Sequence, residues 1–226
     1  MKIGVIVALS KELDLLLPLL ENHDVVEADD YVFHCGTMGR HTIVAMQCGI
    51  GKVNAAVGTA SMLGHFKPDA VVNTGVAGAA DARVNVMDVV AGERVAYHDV
   101  WCGPESEWGA VQGLPLYYEG SRSLLSAIQP DESTKKGLIA SGDQFVDTLA
   151  KIQEIKSHFP DALAVDMESG AIAQVCHLRH VPFLSVRVIS DSPGAGHDNT
   201  KQYTDFWEDA PEHTFELLHN ILKTLD

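Results

Sequence analysis

Three acidic side chains that follow apolar runs are the residues of this chain best suited to chemistry. Glu12 comes just after an apolar run at residues 3–9. Glu168 and Asp191 also follow short apolar runs, and Arg187 lies close to Asp191 in the sequence. Such runs are typical of buried strands, and ligands of open α/β sheets bind at the carboxyl ends of the strands. Because clustered acids repel each other, their convergence on one rim indicates a functional site.

Each acid taken alone also has a structural explanation. Asp191 suits the capping of a turn, and Glu12 and Glu168 suit the first turn of a helix, where the helix dipole favours negative charge. Their joint position favours function, and Phe145 and Met167 add apolar surface for a flat ligand. Carboxylates beside such a surface suit a sugar attached to a heteroaromatic ring. One acid would bind vicinal hydroxyls, one would protonate the ring and one would activate water.

Other motifs give weaker indications. Gly49-Ile50-Gly51-Lys52 lacks both the first glycine of a P-loop and the Ser or Thr that follows its lysine. Gly75-Val76-Ala77-Gly78 follows a predicted strand, and we interpret it as a loop whose backbone N–H groups approach a ligand. His177, His180 and the pair His98-Asp99 lack the spacing of a zinc site. Solvated or core histidines are therefore expected, and no metal.

The composition limits the partners that the protein is expected to bind. The chain has 226 residues, with 16 Lys and Arg against 31 Asp and Glu, a net charge of −15. Such a surface repels phosphate backbones and anionic lipids, so neither nucleic acid nor a membrane is expected as a partner. The four cysteines lack C-x-x-C spacing, which indicates reduced thiols. The apolar start is too short for a signal peptide or a membrane span, so we expect a cytoplasmic protein.

The elements that must position the acids alternate between strand and helix. Strands are predicted at residues 3–9, 70–74, 84–95, 138–141, 162–166 and 182–189, with a hairpin at 31–48. Helices are predicted at 54–65, 148–158, 168–179 and 203–225, and loops at 97–116 and 192–200. Ser10 is expected to cap a further helix that carries Glu12. This alternation predicts an α/β fold with a largely parallel sheet, which the hairpin makes mixed.

Together, the motifs form the pattern of a known family. In chain order they are GIGKVN at 49–54, NTGVAG at 73–78, YHD at 97–99, SGDQF at 141–145, VDME at 165–168 and RVISD at 187–191. The chain resembles the 5′-methylthioadenosine/S-adenosylhomocysteine nucleosidases of the purine nucleoside phosphorylase superfamily over essentially its whole length. The resemblance implies one nucleosidase domain over residues 1–226, a three-layer αβα fold around a mixed, largely parallel sheet. It implies hydrolysis of the N-glycosidic bond of these adenosine thioethers, with no cofactor and no metal, releasing adenine and the 5′-thioribose product.

The resemblance also implies a role for individual residues. Glu12 would activate the attacking water, and Asp191, positioned by Ser190, would protonate or hydrogen-bond N7 of adenine. Glu168 would bind the 2′ and 3′ hydroxyls of the ribose, with Met167 beside it. The other residues placed around the nucleoside are Phe145, which would stack on adenine, Val146, whose backbone would read the adenine edge, Arg187, which would orient the water or Glu168, and the pocket-lining Ile50, Gly78 and Tyr203.

The resemblance implies a homodimer and leaves three alternative functions. In the family, the segment equivalent to residues 101–116 reaches the 5′ pocket of the neighbouring subunit, although this stretch of the chain matches poorly. Val76 replaces a usual serine and Asp166 a usual glutamate. The alternatives are a phosphorolytic enzyme, which scarce arginine and Val76 disfavour, an aminodeoxyfutalosine nucleosidase, and a non-catalytic nucleoside-binding protein, which the presence of Glu12 and Asp191 disfavours.

Overall fold

The apolar runs of the sequence form the strands of a mixed sheet in the computed structural model, which describes residues 1–128, 132–193 and 199–209. The strands are β1 (Lys2–Val7), β2 (Glu21–Ala28), β3 (Tyr31–Met38), β4 (His41–Gln47), β5 (Ala70–Ala79), β6 (Val89–Tyr97), β7 (Tyr118–Glu119), β8 (Thr134–Ser141), β9 (Ala162–Asp166) and β10 (Phe183–Asp191). Parallel and antiparallel pairs are equally frequent among the described strands. The predicted mixed sheet is therefore confirmed, although it is not largely parallel, because the pairs β2–β3, β3–β4, β5–β9, β6–β7 and β6–β10 are antiparallel.

Part of the sheet closes on itself. The strand order is β10-β6-β8-β9-β5-β1-β4-β3-β2, with β7 beside β6 and a further pairing between β10 and β5. Strands β5, β9, β8, β6 and β10 thus form a closed ring of pairs, and β1, β4, β3 and β2 continue the sheet outward from β5. The carboxyl ends of β5, β9 and β10 meet at one end of this ring.

Helices cover both faces of the sheet. They are α1 (Ser10–Leu16), followed by a short 3-10 helix (Leu17–Leu19), α2 (Lys52–Phe66), α3 (Arg122–Ser126), α4 (Leu149–His158), α5 (Ser169–Arg179) and α6 (Asn199–Asp209). The apolar run of β1 shows why both faces are covered, since Ile3 and Val5 belong to the same core cluster as Leu16 of α1, whereas Ile6 packs in a second cluster with Met62 of α2. The predicted three-layer arrangement is confirmed.

The structure corrects three predictions about individual elements. Residues 75–78 are not a loop, because β5 continues through them and pairs with β10 as far as Gly78 and with β9 at Gly78 and Ala79. Ser10 does not cap α1: it is the first helical residue, the cap position is Leu9, and the Glu12 carboxylate accepts from the Leu9 N–H. Strand β6 starts later than predicted, because turns occupy residues 81–88.

Three elements besides the short 3-10 helix were missing from the sequence prediction, namely β2, the two-residue strand β7 and helix α3. Strand β2 is exposed along nearly its whole length and carries acidic residues, so it shows no apolar alternation. Helix α3 has only five residues. The loop predicted at 97–116 is confirmed over residues 98–116, which contain turns and no strand or helix, whereas Tyr97 is the last residue of β6. The C-terminal helix begins at Asn199, and the rest of the predicted helix, from residue 210 onward, lies outside the described residues. Residues 194–198 of the predicted loop at 192–200 also lie outside them.

All four cysteines are free, and Cys48 and Cys176 are buried. None of the helices in the described part of the chain combines the length and apolar character that a membrane crossing requires.

Candidate active site

The carboxyl ends of β5, β9 and β10 border a cavity of about 250 Å³. Every residue predicted from the sequence for the site lines it: Glu12, Ile50, Gly78, Phe145, Val146, Met167, Glu168, Arg187, Ser190, Asp191 and Tyr203. The structure adds lining residues that the prediction did not assign to the site, namely Ala8, Leu9, Val76, Ala77, Gln144, Val165 and Asp166. The fold therefore brings the predicted residues together in one place, although they are spread over most of the sequence.

Glu12 lies in the first turn of α1 and is 1% exposed. Its Oε2 accepts hydrogen bonds from the backbone N–H groups of Ala8 and Leu9, both at 2.9 Å, and its Oε1 accepts one from Val76 at 3.1 Å. Burial raises the pKa of Glu12, and Arg187 and these backbone donors act in the opposite direction. The carboxylate is thus held rigidly by donors, with its side chain directed into the cavity.

A glycine makes room for the Glu12 carboxylate. Gly75 in β5 has φ +148°, and a Cβ atom at this position would lie 2.3 Å from Oε1 of Glu12 and 2.8 Å from Nη1 of Arg187. No side chain fits between these charged groups, so the glycine that was predicted to belong to a ligand-binding loop allows a close approach within the strand.

Asp191 is the last residue of β10 and is 3% exposed. Its Oδ1 accepts a hydrogen bond from the Ser190 hydroxyl at 2.5 Å. The pairing with β5 is irregular between Ile189 and Asp191, and such a bulge redirects neighbouring side chains. Both Ser190 and Asp191 consequently line the cavity. Burial raises the pKa of Asp191, against the opposing effect of its hydrogen bonds.

Glu168 occupies the cap position of α5 and is 5% exposed. Its Oε1 accepts a hydrogen bond from the Gly51 N–H at 2.9 Å, and its Oε2 lies 3.7 Å from Nη2 of Arg187. Burial raises the pKa of Glu168 to about 7, partly offset by Arg187. This acid therefore joins the start of α2 to the start of α5 at the edge of the cavity.

Arg187 is fully buried, and its charge is already paired. Its Nη2 lies 2.5 Å from Oδ2 of Asp166 and donates to Oδ1 of Asn73 at 2.5 Å and to the Ser169 hydroxyl at 3.1 Å. Buried charges are stable only when paired and hydrogen-bonded in this way. Sequence reasoning missed the roles of Asn73 and Ser169, although a polar residue within the apolar run 70–74 was a signal for the former.

Aromatic and apolar side chains form the other wall of the cavity. Phe145 is 48% exposed, and its ring meets the Tyr203 ring edge-on with centroids 5.8 Å apart. Helix α6, which carries Tyr203, is tied to this wall because the Asn199 side chain donates to the backbone carbonyl of Val146 at 3.3 Å. The exposed face of Phe145 is thus free to contact a flat ring.

Within residues 1–128, 132–193 and 199–209, no group of three or more His, Cys, Asp and Glu side chains is placed to hold a metal ion.

A cavity at the carboxyl ends of the strands that is lined by acids and by aromatic side chains suits a ligand that combines hydroxyl groups with a flat ring. The family model of the phosphorylase superfamily matches residues 2–223, and the chain belongs to this superfamily. It is 36% identical over 233 residues to a 5′-methylthioadenosine/S-adenosylhomocysteine nucleosidase of Exiguobacterium sp., with 100% of this chain and 99% of that protein covered. These matches confirm the family predicted from the sequence.

Solved structures give the same result. The structure of the 5′-methylthioadenosine/S-adenosylhomocysteine nucleosidase of Streptococcus pneumoniae with a transition-state inhibitor, MT-ImmA, superposes with a TM-score of 0.93 at 37% identity, and 100% of both chains is covered. A futalosine hydrolase mutant of Helicobacter pylori superposes with a TM-score of 0.90 at 27% identity, again with 100% of both chains covered. The chain has the same fold as both proteins, and its sequence identity is higher with the nucleosidase.

Proposed function

We propose that the protein hydrolyses the N-glycosidic bond of 5′-methylthioadenosine and S-adenosylhomocysteine, releasing adenine and the 5′-thioribose product. The observation that carries this proposal is the pair of buried acids, Glu12 and Asp191, which come from different elements but line one cavity. Glu12 contacts β5 at Val76 and Asp191 lies beside Gly78. These contact points are two residues apart along β5, about 7 Å at the rise of a strand, so the two acids reach the cavity at separate points.

The surroundings of the two acids support different roles. Three backbone N–H groups and a nearby guanidinium favour the ionised form of Glu12, which suits a base. A carboxylate has about four lone-pair positions, so one remains for a water molecule. Burial raises the pKa of Asp191 and no cation is among the groups that oppose this effect, which favours the protonated form that an acid requires.

The reaction balances with these two groups. The water oxygen forms a bond to C1′ of the ribose while the bond between C1′ and N9 of adenine breaks. The electron pair of that bond goes to adenine, which receives a proton from Asp191 at N7, and Glu12 takes a proton from the water. The positive charge that develops on the sugar ring lies near the acidic lining of the cavity, which stabilises it.

The remaining residues bind the nucleoside in this proposal. Glu168 accepts hydrogen bonds from the ribose 2′ and 3′ hydroxyls, with Met167 beside the sugar, and Arg187 holds Glu168 and the water side of the cavity in place. Phe145 stacks on adenine. The positions that complete the pocket are Val146, whose backbone reads the adenine edge, Ser190, which orients Asp191, and Ile50, Gly78 and Tyr203.

The charges of the cavity favour hydrolysis over phosphorolysis. Four acids line it, Glu12, Asp166, Glu168 and Asp191, and Arg187 is the single lining cation among the described residues. Its guanidinium is bonded to Asp166 and Asn73. A phosphate anion needs free cationic or hydroxyl donors, and Val76 adds none.

Adenine release from 5′-methylthioadenosine, S-adenosylhomocysteine and aminodeoxyfutalosine, with and without inorganic phosphate, tests the proposal. We expect cleavage of the two thioethers at a rate independent of phosphate and faster than cleavage of aminodeoxyfutalosine. Release that depends on phosphate would identify a phosphorylase, and a higher kcat/KM for aminodeoxyfutalosine would identify that substrate instead. Tight nucleoside binding without release would indicate a binding protein.

We also propose that residues 1–226 form one nucleosidase domain that acts in the cytoplasm as a homodimer. Trp101 is 57% exposed although its ring stacks on Trp108, and Val53 and Val57 on α2 are also exposed. An ion pair between Lys52 and Asp99 holds the start of the loop at 97–116, which carries Trp101, beside the start of α2, which carries Val53 and Val57. Exposed apolar patches of this kind are typical of subunit interfaces.

A further inference from the structure

Lys52 and Asp99, which belong to different sequence motifs and do not line the cavity, are joined directly in the structure. Lys52 ends the Gly-Ile-Gly-Lys motif, and Asp99 follows His98 at the end of β6. The Lys52 ammonium donates to both carboxylate oxygens of Asp99, at 3.0 and 2.9 Å, and lies 5.3 Å from the centroid of the Tyr97 ring. The two side chains are 25% and 13% exposed, so the pair is largely shielded from water.

Asp143 closes this pair into a ring of hydrogen bonds. Its backbone N–H donates to Asp99 at 2.8 Å, and its carboxylate accepts from the backbone N–H of Lys52 at 2.7 Å. Asp143 lies two residues before Phe145, in the turn after β8. The ring of three residues therefore fixes the segment that carries the aromatic wall of the cavity.

The same helix start also holds the acid proposed to bind ribose. Gly51, next to Lys52, donates its N–H to Glu168 at 2.9 Å. Its φ of +92° favours glycine, and a Cβ there would lie 3.0 Å from Oδ1 of Asp143. The backbone N–H groups of Gly51 and Lys52 thus bind two acids, Glu168, which lines the cavity, and Asp143, which does not.

We propose that Lys52, Asp99 and Asp143 are positioning residues that set the place of Phe145 relative to Glu168. This relative position determines how well the nucleoside fits, because its base would contact Phe145 and its sugar would contact Glu168. None of the three lines the cavity. The inference depends on the proposed function only in assuming that the base meets Phe145 and the sugar meets Glu168. The geometry of the ring does not depend on the substrate.

Lys52→Met removes the charge while keeping the length of the side chain. We expect KM for 5′-methylthioadenosine to rise about tenfold with kcat within about threefold, because a misplaced binding wall weakens substrate binding. Amide hydrogen exchange over residues 142–146 should accelerate in the ligand-free protein. Lys52→Arg should restore both measurements, and Asp99→Asn should reproduce the defect if Lys52→Met does not fold.

Lys135→Met is the matched control. Lys135 forms an ion pair with Asp88 at 2.8 Å with side chains 25% and 12% exposed, but at the opposite end of β8 from Ser141. This variant should leave KM and the exchange of 142–146 unchanged. Unchanged KM and exchange in Lys52→Met, or an equal change in Lys135→Met, would overturn the proposal. Absence of adenine release by the unmodified protein would instead refute the proposed function, while the exchange measurement would still test the ring.

Discussion

Two buried acids of the same cavity differ because of the atoms around them. Glu12 accepts three backbone N–H bonds and faces the Arg187 charge, whereas Asp191 accepts from side chains. Backbone donors stabilise a carboxylate, and burial without a cation stabilises the neutral acid. The two carboxyl groups therefore have different electrostatic surroundings, as the different roles proposed for them require, although burial raises the pKa of both.

Asp191→Asn should separate binding from chemistry. The amide keeps the size of the side chain but cannot donate the proton, so we expect adenine release to fall about 10²–10⁴-fold while nucleoside binding is retained. Initial rates and calorimetric titration measure the two effects. Asp205→Asn, an exposed acid on α6, is the control. Activity within a few-fold of the unmodified protein would contradict the role of Asp191.

Glu168→Gln tests the contact with ribose. The variant should lower kcat/KM for ribosides far more than for 2′-deoxy analogues, because the analogues lack one of the hydroxyls that the carboxylate would bind. Kinetics with matched pairs of substrates measure the difference. Equal losses on both would mean that Glu168 only joins α5 to Gly51.

The same variant should change how stability depends on pH. The pKa of Glu168 is raised by burial to about 7 in the folded protein, against 4.5 as its ordinary value. The folded state thus retains a proton that the unfolded chain loses, so this contribution to stability is complete below pH 4.5 and is lost as the pH rises to about 7. Thermal unfolding of the unmodified protein and Glu168→Gln from pH 4.5 to 8 should show a steeper decline for the former. Parallel curves would contradict the raised pKa.

The acids could be predicted from the sequence because each follows an apolar run, and strand ends converge in an α/β fold. The partners of Arg187 could not be predicted, because Asn73 and Ser169 reach it only after β5, α5 and β10 have packed. The link between Lys52 and Asp99 was missed for the same reason, since it joins residues 47 positions apart.

At the scale of elements, strand β5 shapes the cavity because it stays extended through Gly75 and Gly78. Its Gly75 allows Glu12 and Arg187 to approach the backbone. Gly75→Ala should displace the Glu12 carboxylate, lower adenine release at least about tenfold and destabilise the fold by about 1–3 kcal/mol. Gly64→Ala on α2, where an added Cβ meets open space, should leave activity unchanged. Unchanged activity in Gly75→Ala, checked by rate and thermal unfolding, would contradict this role.

The elements that were predicted correctly have strong local patterns. The predicted strand at 162–166 coincides with β9, and the apolar run of β1 and the helical pattern of α2 identify those elements to within two residues. The sequence predicts a loop at the glycines of β5 because glycine is typical of turns. Pairing with β9 and β10 instead keeps these residues extended. Strand β2 was missed because its hydrogen bonds to β3, rather than burial, define it.

For the whole molecule, the loop at 97–116 carries the surface that we propose to contact a second copy. Its Trp108 is anchored, since the indole N–H donates to the His98 carbonyl at 2.9 Å and the ring stacks on His158, with centroids 4.4 Å apart. The Trp101 ring stacks on Trp108, which holds it in place, while the other face of the Trp101 ring stays exposed. A preorganised aromatic side chain of this kind loses little entropy when a partner covers it.

Trp101→Ala should therefore loosen the proposed dimer and raise KM for 5′-alkylthio substrates together, because the same loop would form the interface and border the partner's 5′ pocket. Sedimentation velocity and kinetics at matched protein concentrations measure the two effects. Leu178→Ala, which removes a side chain that is 54% exposed on α5, is the control and should change neither. A monomer with full activity at micromolar concentration would contradict the dimer. A Trp101→Ala variant that dissociates but keeps its KM would retain the interface and remove its contribution to the substrate pocket.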